Sequence, residues 1–145
     1  MKKRFVHTKH AKTAFYKKIL TDIRKSKVCP FCPKTFTWHT NPILKQSNGW
    51  LVTKSFQSYK NSAHHFIVVG KRHVEHISKL SKKDWSAILL LIQWATKKYA
   101  LKGGGFALRF GDAKHTGASV LHLHGHLIVP KIKRGHAAPV WFPFG

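Results

Sequence analysis

The sequence predicts an α+β fold built on a mostly antiparallel sheet. Short apolar runs and helical periods mix along the 145 residues without a regular strand–helix–strand alternation. Two of the runs are joined by Ser47-Asn48-Gly49, which signals a hairpin. A longer segment, from Trp85 to Tyr99, carries a helical period. The length is that of one domain with a core of its own.

Each element has its own warrant. In residues 12–26, Phe15, Ile19 and Ile23 recur every four residues with Leu20 beside them, which predicts a basic amphipathic helix. Residues 2–27 carry ten Lys and Arg. A helix of this kind packs on the domain with a solvated basic face, or it contacts nucleic acid or another polyanion. The chemistry itself is expected to lie outside it. Ile43–Gln46 and Trp50–Phe56 read as strands, residues 57–63 as polar loop, and His65–Gly70 as a buried strand. Ser81 with Asp84 resembles a capping box before the long helix, and Leu90, Leu91 and Trp94 widen its apolar face. Gly103-Gly104-Gly105 is expected to stop it. Phe106–Phe110 reads as a strand, Gly111–Gly117 as a loop, and Val120–Val129 as a last strand ended by Pro130. Residues 1–28 are thus a basic segment, 29–130 the domain, and 131–145 a basic tail closing on Trp141-Phe142-Pro143-Phe144.

Charge narrows the chemistry. There are 27 Lys and Arg against 4 Asp and Glu, a formal net charge of +23, and 12 histidines. The carboxylates Asp22, Glu75, Asp84 and Asp112 are scattered, which argues against a glycosidase pair or an acidic magnesium cage. Acid–base work then falls to histidine, lysine, cysteine or tyrosine. The longest apolar run, Ala87 to Ile92, is far too short to span a bilayer, and no apolar stretch follows Met1-Lys2-Lys3-Arg4. A cytoplasmic protein with no membrane partner is expected.

The most informative stretch is Val120-Leu121-His122-Leu123-His124-Gly125-His126-Leu127-Ile128. On a strand with period two, His122, His124 and His126 share one face. Three imidazoles on one face are costly to bury without partners or a metal. This run resembles the His-φ-His-φ-His-φ-φ signature of the histidine triad (HIT) nucleotide hydrolases and transferases, with Gly125 in place of one apolar φ. His65 to Val74 resembles the family's upstream strand and its Pro-Lys-Arg-His-Val-like turn, with Gly70 where Pro is usual. Cys29-Pro30-Phe31-Cys32 resembles the zinc-binding Cys-x-x-Cys of many bacterial members. The resemblance runs over residues 29–130.

The resemblance implies a HIT-like fold and assigns roles. His124 is the nucleophile that attacks the α-phosphorus of a nucleotide, and His126 and His65 are donors to the phosphoryl oxygens. Ser119 matches a phosphate-contacting Ser or Thr, with Gly117 and its neighbouring amides beside it. The family's Gln before that Ser is Ala118 here, and its upstream Asn is Gly111, so Arg109 becomes the candidate cation. It also implies a structural zinc on Cys29, Cys32, His73 and His122, with His76, His64 and His39 as alternatives for the third ligand. No catalytic metal is expected. Taken alone, Cys-Pro-Phe-Cys also resembles a glutaredoxin-type redox pair, which needs a helix starting at the first cysteine.

The function expected from this is cleavage of a nucleoside monophosphate from a phosphoanhydride or phosphoramidate, with dinucleoside polyphosphates or adenylylated compounds as examples of substrate. Two alternatives stand beside it. One is a nucleic-acid-directed enzyme removing 5′-adenylate, held through the basic N-terminal segment. The other is a non-catalytic, zinc-stabilised RNA-binding module. The family commonly dimerises, so a homodimer through the broad face of the long helix is expected.

Overall fold

The computed structural model describes residues 4–11 and 13–145. Five strands form one sheet: β1 (Ile43–Ser47), β2 (Trp50–Lys54), β3 (Ser62–Gly70), β4 (Gly105–Arg109) and β5 (His124–Pro130). Their order is β1-β2-β3-β5-β4, and every neighbouring pair is antiparallel. Asn48 and Gly49 turn β1 into β2 with positive φ at both (41° and 81°), as a two-residue primed turn requires. Helices are α1 (Ala14–Ser26), α2 (Lys82–Lys98) and the single turn α3 (Ala113–Thr116). A small hairpin, β6 (Ile132–Lys133) with β7 (His136–Ala137), lies in the tail.

Alternation along β3 divides the core. Phe66 and Val68 face α2, where they meet Trp50, Val52, Ile88, Leu91 and Leu127. Ile67 and Val69 face the other way, with Leu51 and the rings of Phe31 and Phe36. α2 begins at the expected capping box: the Ser81 hydroxyl accepts from the Asp84 N–H, and the Asp84 carboxylate accepts from the Ser81 N–H. It also accepts from the Trp50 indole at 2.9 Å, which fixes α2 to the sheet. The helix does not run to the glycines. Ala100 adopts a left-handed φ of 49° and reverses the chain three residues before them. Trp85, Leu89 and Leu90 stay exposed on the outer side of α2. Among the described residues no helix is long and apolar enough to cross a membrane.

Three further expectations are corrected. The last strand starts at His124, not Val120. Residues 120–123 find other partners: Leu121 N–H bonds the Phe5 carbonyl, Leu123 N–H bonds the Val74 carbonyl, and Val120 bridges Val6. β3 begins within the expected loop, at Ser62. In α1 the buried residues are Leu20 and Ile23, with half-buried Tyr16 and Ile19 packed beside them, while Phe15 is 65% exposed. The buried face packs on Val6 and Val120, which form an isolated bridge beside it. Position 12 of the expected helix lies outside the described residues.

Candidate active site and metal centre

Register sets which side chains meet. His124 pairs with Val69 on one side and Arg109 on the other, and His126 pairs with Ile67 and Ala107. Directly opposed residues project to the same face of a sheet. His124, His126 and Arg109 therefore stand on the face away from α2, beside His65 two residues before Ile67. The structure brings the expected His65, His124 and His126 together there.

Hydrogen bonds assign the tautomers. His124 Nδ1–H donates to the His122 carbonyl at 2.6 Å, which leaves the lone pair on Nε2. The Tyr59 backbone N–H donates to His65 Nδ1 at 3.2 Å, so His65 carries its hydrogen on Nε2. That hydrogen is donated to His126 Nδ1 at 2.9 Å, which places the His126 hydrogen on Nε2. Burial lowers His124 to about 4, with Arg109 adding to the effect and the bond to the His122 carbonyl opposing it. Its imidazole is neutral near pH 7.

These rings open on a cavity of about 400 Å³, roughly the size that holds one small ligand. Tyr16 and Ile19 of α1, Phe31, Arg109 and Ser119 are among the other residues that line it. Described residues of the basic segment, from Lys9 to Ile23, therefore help to line the pocket. Tyr16 Oη lies 3.1 Å from Ser119 Oγ. No Asp or Glu lines the cavity. Arg109 donates to the Tyr59 hydroxyl at 3.1 Å and lies 4.7 Å over the Phe142 ring. Its Nε is buried without a hydrogen-bond partner among the described residues, a donor that an anion would satisfy. Gly117, at φ 65°, begins the turn before Ser119 and lies under the Gly145 backbone, so a side chain there would collide with the tail.

Residue 122 leaves the triad face. Its ring turns to the cysteines because the chain there pairs with residues 5 and 74 instead of the sheet. Cys29, Cys32, His73 and His122 bring one donor atom each to within 4.8 Å of one another. His122 Nδ1 lies 3.3 Å from Cys29 Sγ, 3.8 Å from Cys32 Sγ and 3.2 Å from His73 Nδ1; Cys32 Sγ to His73 Nδ1 is 3.6 Å. A tetrahedral zinc with ordinary Zn–S and Zn–N bonds sets its ligands about 3.3–3.8 Å apart, so the residues fit the ion. The outer nitrogens agree. His122 Nε2–H donates to the Gly70 carbonyl, and His73 Nε2 faces Glu75 Oε1 at 2.9 Å, leaving Nδ1 as the ligand atom on both rings. Burial pushes the Cys29 thiol up to about 12, so it is no reactive thiolate by itself. No helix starts at Cys29; α1 ends before it, which removes the glutaredoxin-type geometry. Of the alternative ligands, His39 bonds Thr53, His76 bonds Ser78, and His64 stacks on Phe66.

Sequence reasoning missed Tyr16, Tyr59 and Phe142. Tyr59 sat in a stretch read only as polar loop, yet its ring stacks 4.7 Å from His65 and 5.8 Å from His126. Phe142 lies 5.1 Å from His126. The one usable signal was Tyr16 at helical spacing from Leu20 and Ile23.

Comparison places this arrangement. A Zn-bound histidine triad family protein from Mycobacterium smegmatis superposes with a TM-score of 0.57 at 18% identity, over 81% of this chain and 85% of that one. A histidine triad nucleotide-binding protein from Candida albicans gives 0.60 at 20%, over 81% and 85%. A histidine triad protein from Clostridium difficile gives 0.57 at 20%, over 73% and 94%. These likenesses show the fold. The HIT domain family model matches residues 55–132, more than half of the chain. The chain belongs to the HIT family.

Proposed function

We propose that this protein cleaves a nucleoside monophosphate from a phosphoanhydride or phosphoramidate through a nucleotidyl-His124 intermediate. The observation that carries the reading is the His124 Nδ1–H bond to the His122 carbonyl, which leaves a nucleophilic lone pair on Nε2. His124 Nε2 attacks the α-phosphorus, and the bond from phosphorus to the leaving group breaks. His126 Nε2–H donates a hydrogen bond to a phosphoryl oxygen, its direction set by His65 and Tyr59. Arg109 and Ser119 hold the remaining oxygens, standing in for the amides that Ala118 and Gly111 do not supply. Water, or inorganic phosphate in a phosphorylase, then attacks the same phosphorus and releases the nucleotide from His124. Hydrolase relatives and the nucleotide-binding relative from Candida albicans support this reaction class.

Cys29, Cys32, His73 and His122 would hold a structural zinc; bound, the ion ties the chain after α1 to the start of the catalytic segment. The exposed Trp85, Leu89 and Leu90 on α2 are the surface for a second copy.

The test is a substrate panel of dinucleoside polyphosphates, adenosine phosphoramidate, adenylylated lysine and 5′-adenylated DNA. His124→Ala is expected to lose at least ~10³-fold in rate with the fold intact. An acid-labile adduct of one nucleotide on the wild-type chain by intact mass is the second readout. Near-wild-type turnover by the variant removes His124 from this role.

A further inference from the structure

The family model begins at residue 55, and the residues that resemble the family begin at Cys29. The segment before them is nonetheless fixed to the catalytic side of the molecule. The Phe5 carbonyl accepts from the Leu121 N–H at 2.7 Å, and the His7 N–H donates to the Ser119 carbonyl at 2.8 Å. Val6 bridges Val120 between these two bonds. Thr13, the N-cap of α1, accepts from the Gln57 side chain at 2.9 Å. Leu20 and Ile23 are buried against Val6 and Val120. Backbone pairing and side-chain packing together fix where α1 stands relative to Ser119.

Tyr16 is placed by this arrangement. Its ring packs on the cluster of Val6, Leu20, Ile23 and Val120. Its hydroxyl lies 3.1 Å from Ser119 Oγ, and both residues line the cavity that holds His124 and His126. Arg109 lines the same cavity and donates to the Gly117 carbonyl at 3.4 Å, two residues before Ser119. Two hydroxyls and a guanidinium thus gather at one turn, while no carboxylate lines the cavity. Each hydroxyl carries one hydrogen, so the pair uses one in its mutual bond and keeps one for another acceptor. Burial raises the Tyr16 phenol, and the bond to Ser119 only partly opposes this, so the group stays a donor near neutral pH. The side chain between Gly117 and Ser119 is Ala118, which has no donor to offer.

We infer that Tyr16 is a phosphate-binding residue: the hydroxyl pair it forms with Ser119 donates to an oxygen of the substrate's α-phosphate. A helix that precedes the family's own motifs then completes the site. The inference rests on the reaction proposed at His124, which puts that phosphate beside Ser119.

The experiment measures equilibrium binding of AMP and of adenosine by calorimetry. The proteins are the full chain, Tyr16→Phe, Ser119→Ala and the double variant. Tyr16→Phe keeps the ring and its packing and removes the hydroxyl alone. It is expected to weaken AMP about three- to tenfold, the scale of one hydrogen bond, and adenosine by less than about twofold. The AMP losses of the two single variants should not add in the double variant, because the hydroxyls act as one pair. Equal losses for AMP and adenosine overturn the inference, since Tyr16 then serves the nucleoside. So does an unchanged affinity for AMP, and fully additive losses overturn the pairing with Ser119. Absence of turnover with any substrate, alongside the expected binding pattern, refutes the His124 reaction and leaves Tyr16 on the phosphate.

Discussion

Gly125 stands where the family pattern has an apolar side chain, and the reason is Phe106. A Cβ on Gly125 would fall on the Phe106 ring from β4, so the ring fills the space that the missing side chain leaves. Gly125→Ala therefore has two opposed effects. Gly125 has no positive φ, so alanine is locally welcome and stabilises the strand by about 0.5–1 kcal/mol. Overpacking against the ring costs about 1–3 kcal/mol. The net is a loss of up to about 2.5 kcal/mol. With a urea slope of about 2 kcal/mol/M, the midpoint falls by up to roughly 1.2 M. In a Phe106→Ala background the ring is gone and only the first effect remains, so the same substitution should stabilise. The assay is urea unfolding of the four proteins of this cycle, which isolates a coupling of at least about 1 kcal/mol. Gly125→Ala that destabilises equally in both backgrounds refutes the reasoning.

Other expected outcomes follow from the same geometry. Protein purified without added metal should carry one zinc per chain by elemental analysis; a ratio near zero, or full retention after Cys29→Ser with Cys32→Ser, counts against the site. Tyr16→Phe removes a hydroxyl from Ser119 and should cost about 0.5–1.5 kcal/mol of transition-state binding, read as a 2- to 13-fold fall in kcat/KM; unchanged kinetics would make α1 a wall only. Burial opposes ionisation of Asp84, but bonds from Ser81 and Trp50, with Arg72 nearby, more than offset it and hold the carboxyl below its usual range. Its contribution is present above about pH 4 and is lost as pH falls through the native value. Asp84→Ala should cost about 1–2 kcal/mol near neutrality, a fall in Tm of about 2–8 °C, and less in acid; a deficit that does not shrink in acid refutes the assignment.

How far the sequence could be read depended on the range of the interactions. The Asn48-Gly49 turn and the Ser81–Asp84 capping box are local, and their residue types show them directly. The strand pairing of His124 and His126 was readable because period two is a property of the strand itself. The start of that strand was not, because it depends on Phe5 and Val74, which compete for the amides of Leu121 and Leu123. The rotation of α1 likewise depends on Val6 and Val120. Tyr59 and Phe142 reach the histidines only through long-range packing, and neither stands in a periodic pattern. The four residues of the metal centre were named through family resemblance, and their convergence is a property of the fold.

His122 takes part in both halves of the site. Its ring stands among the cysteine and histidine donors, and its carbonyl orients His124. The two bonds are a few atoms apart on one residue, so neither partner can shift the residue without moving the other. If zinc binds this cluster and His124 is the nucleophile proposed above, occupancy of the cluster and alignment of His124 form a single thermodynamic square. In such a square the dependence runs both ways. Whatever factor the ion contributes to nucleotide affinity, nucleotide must return to the affinity for the ion.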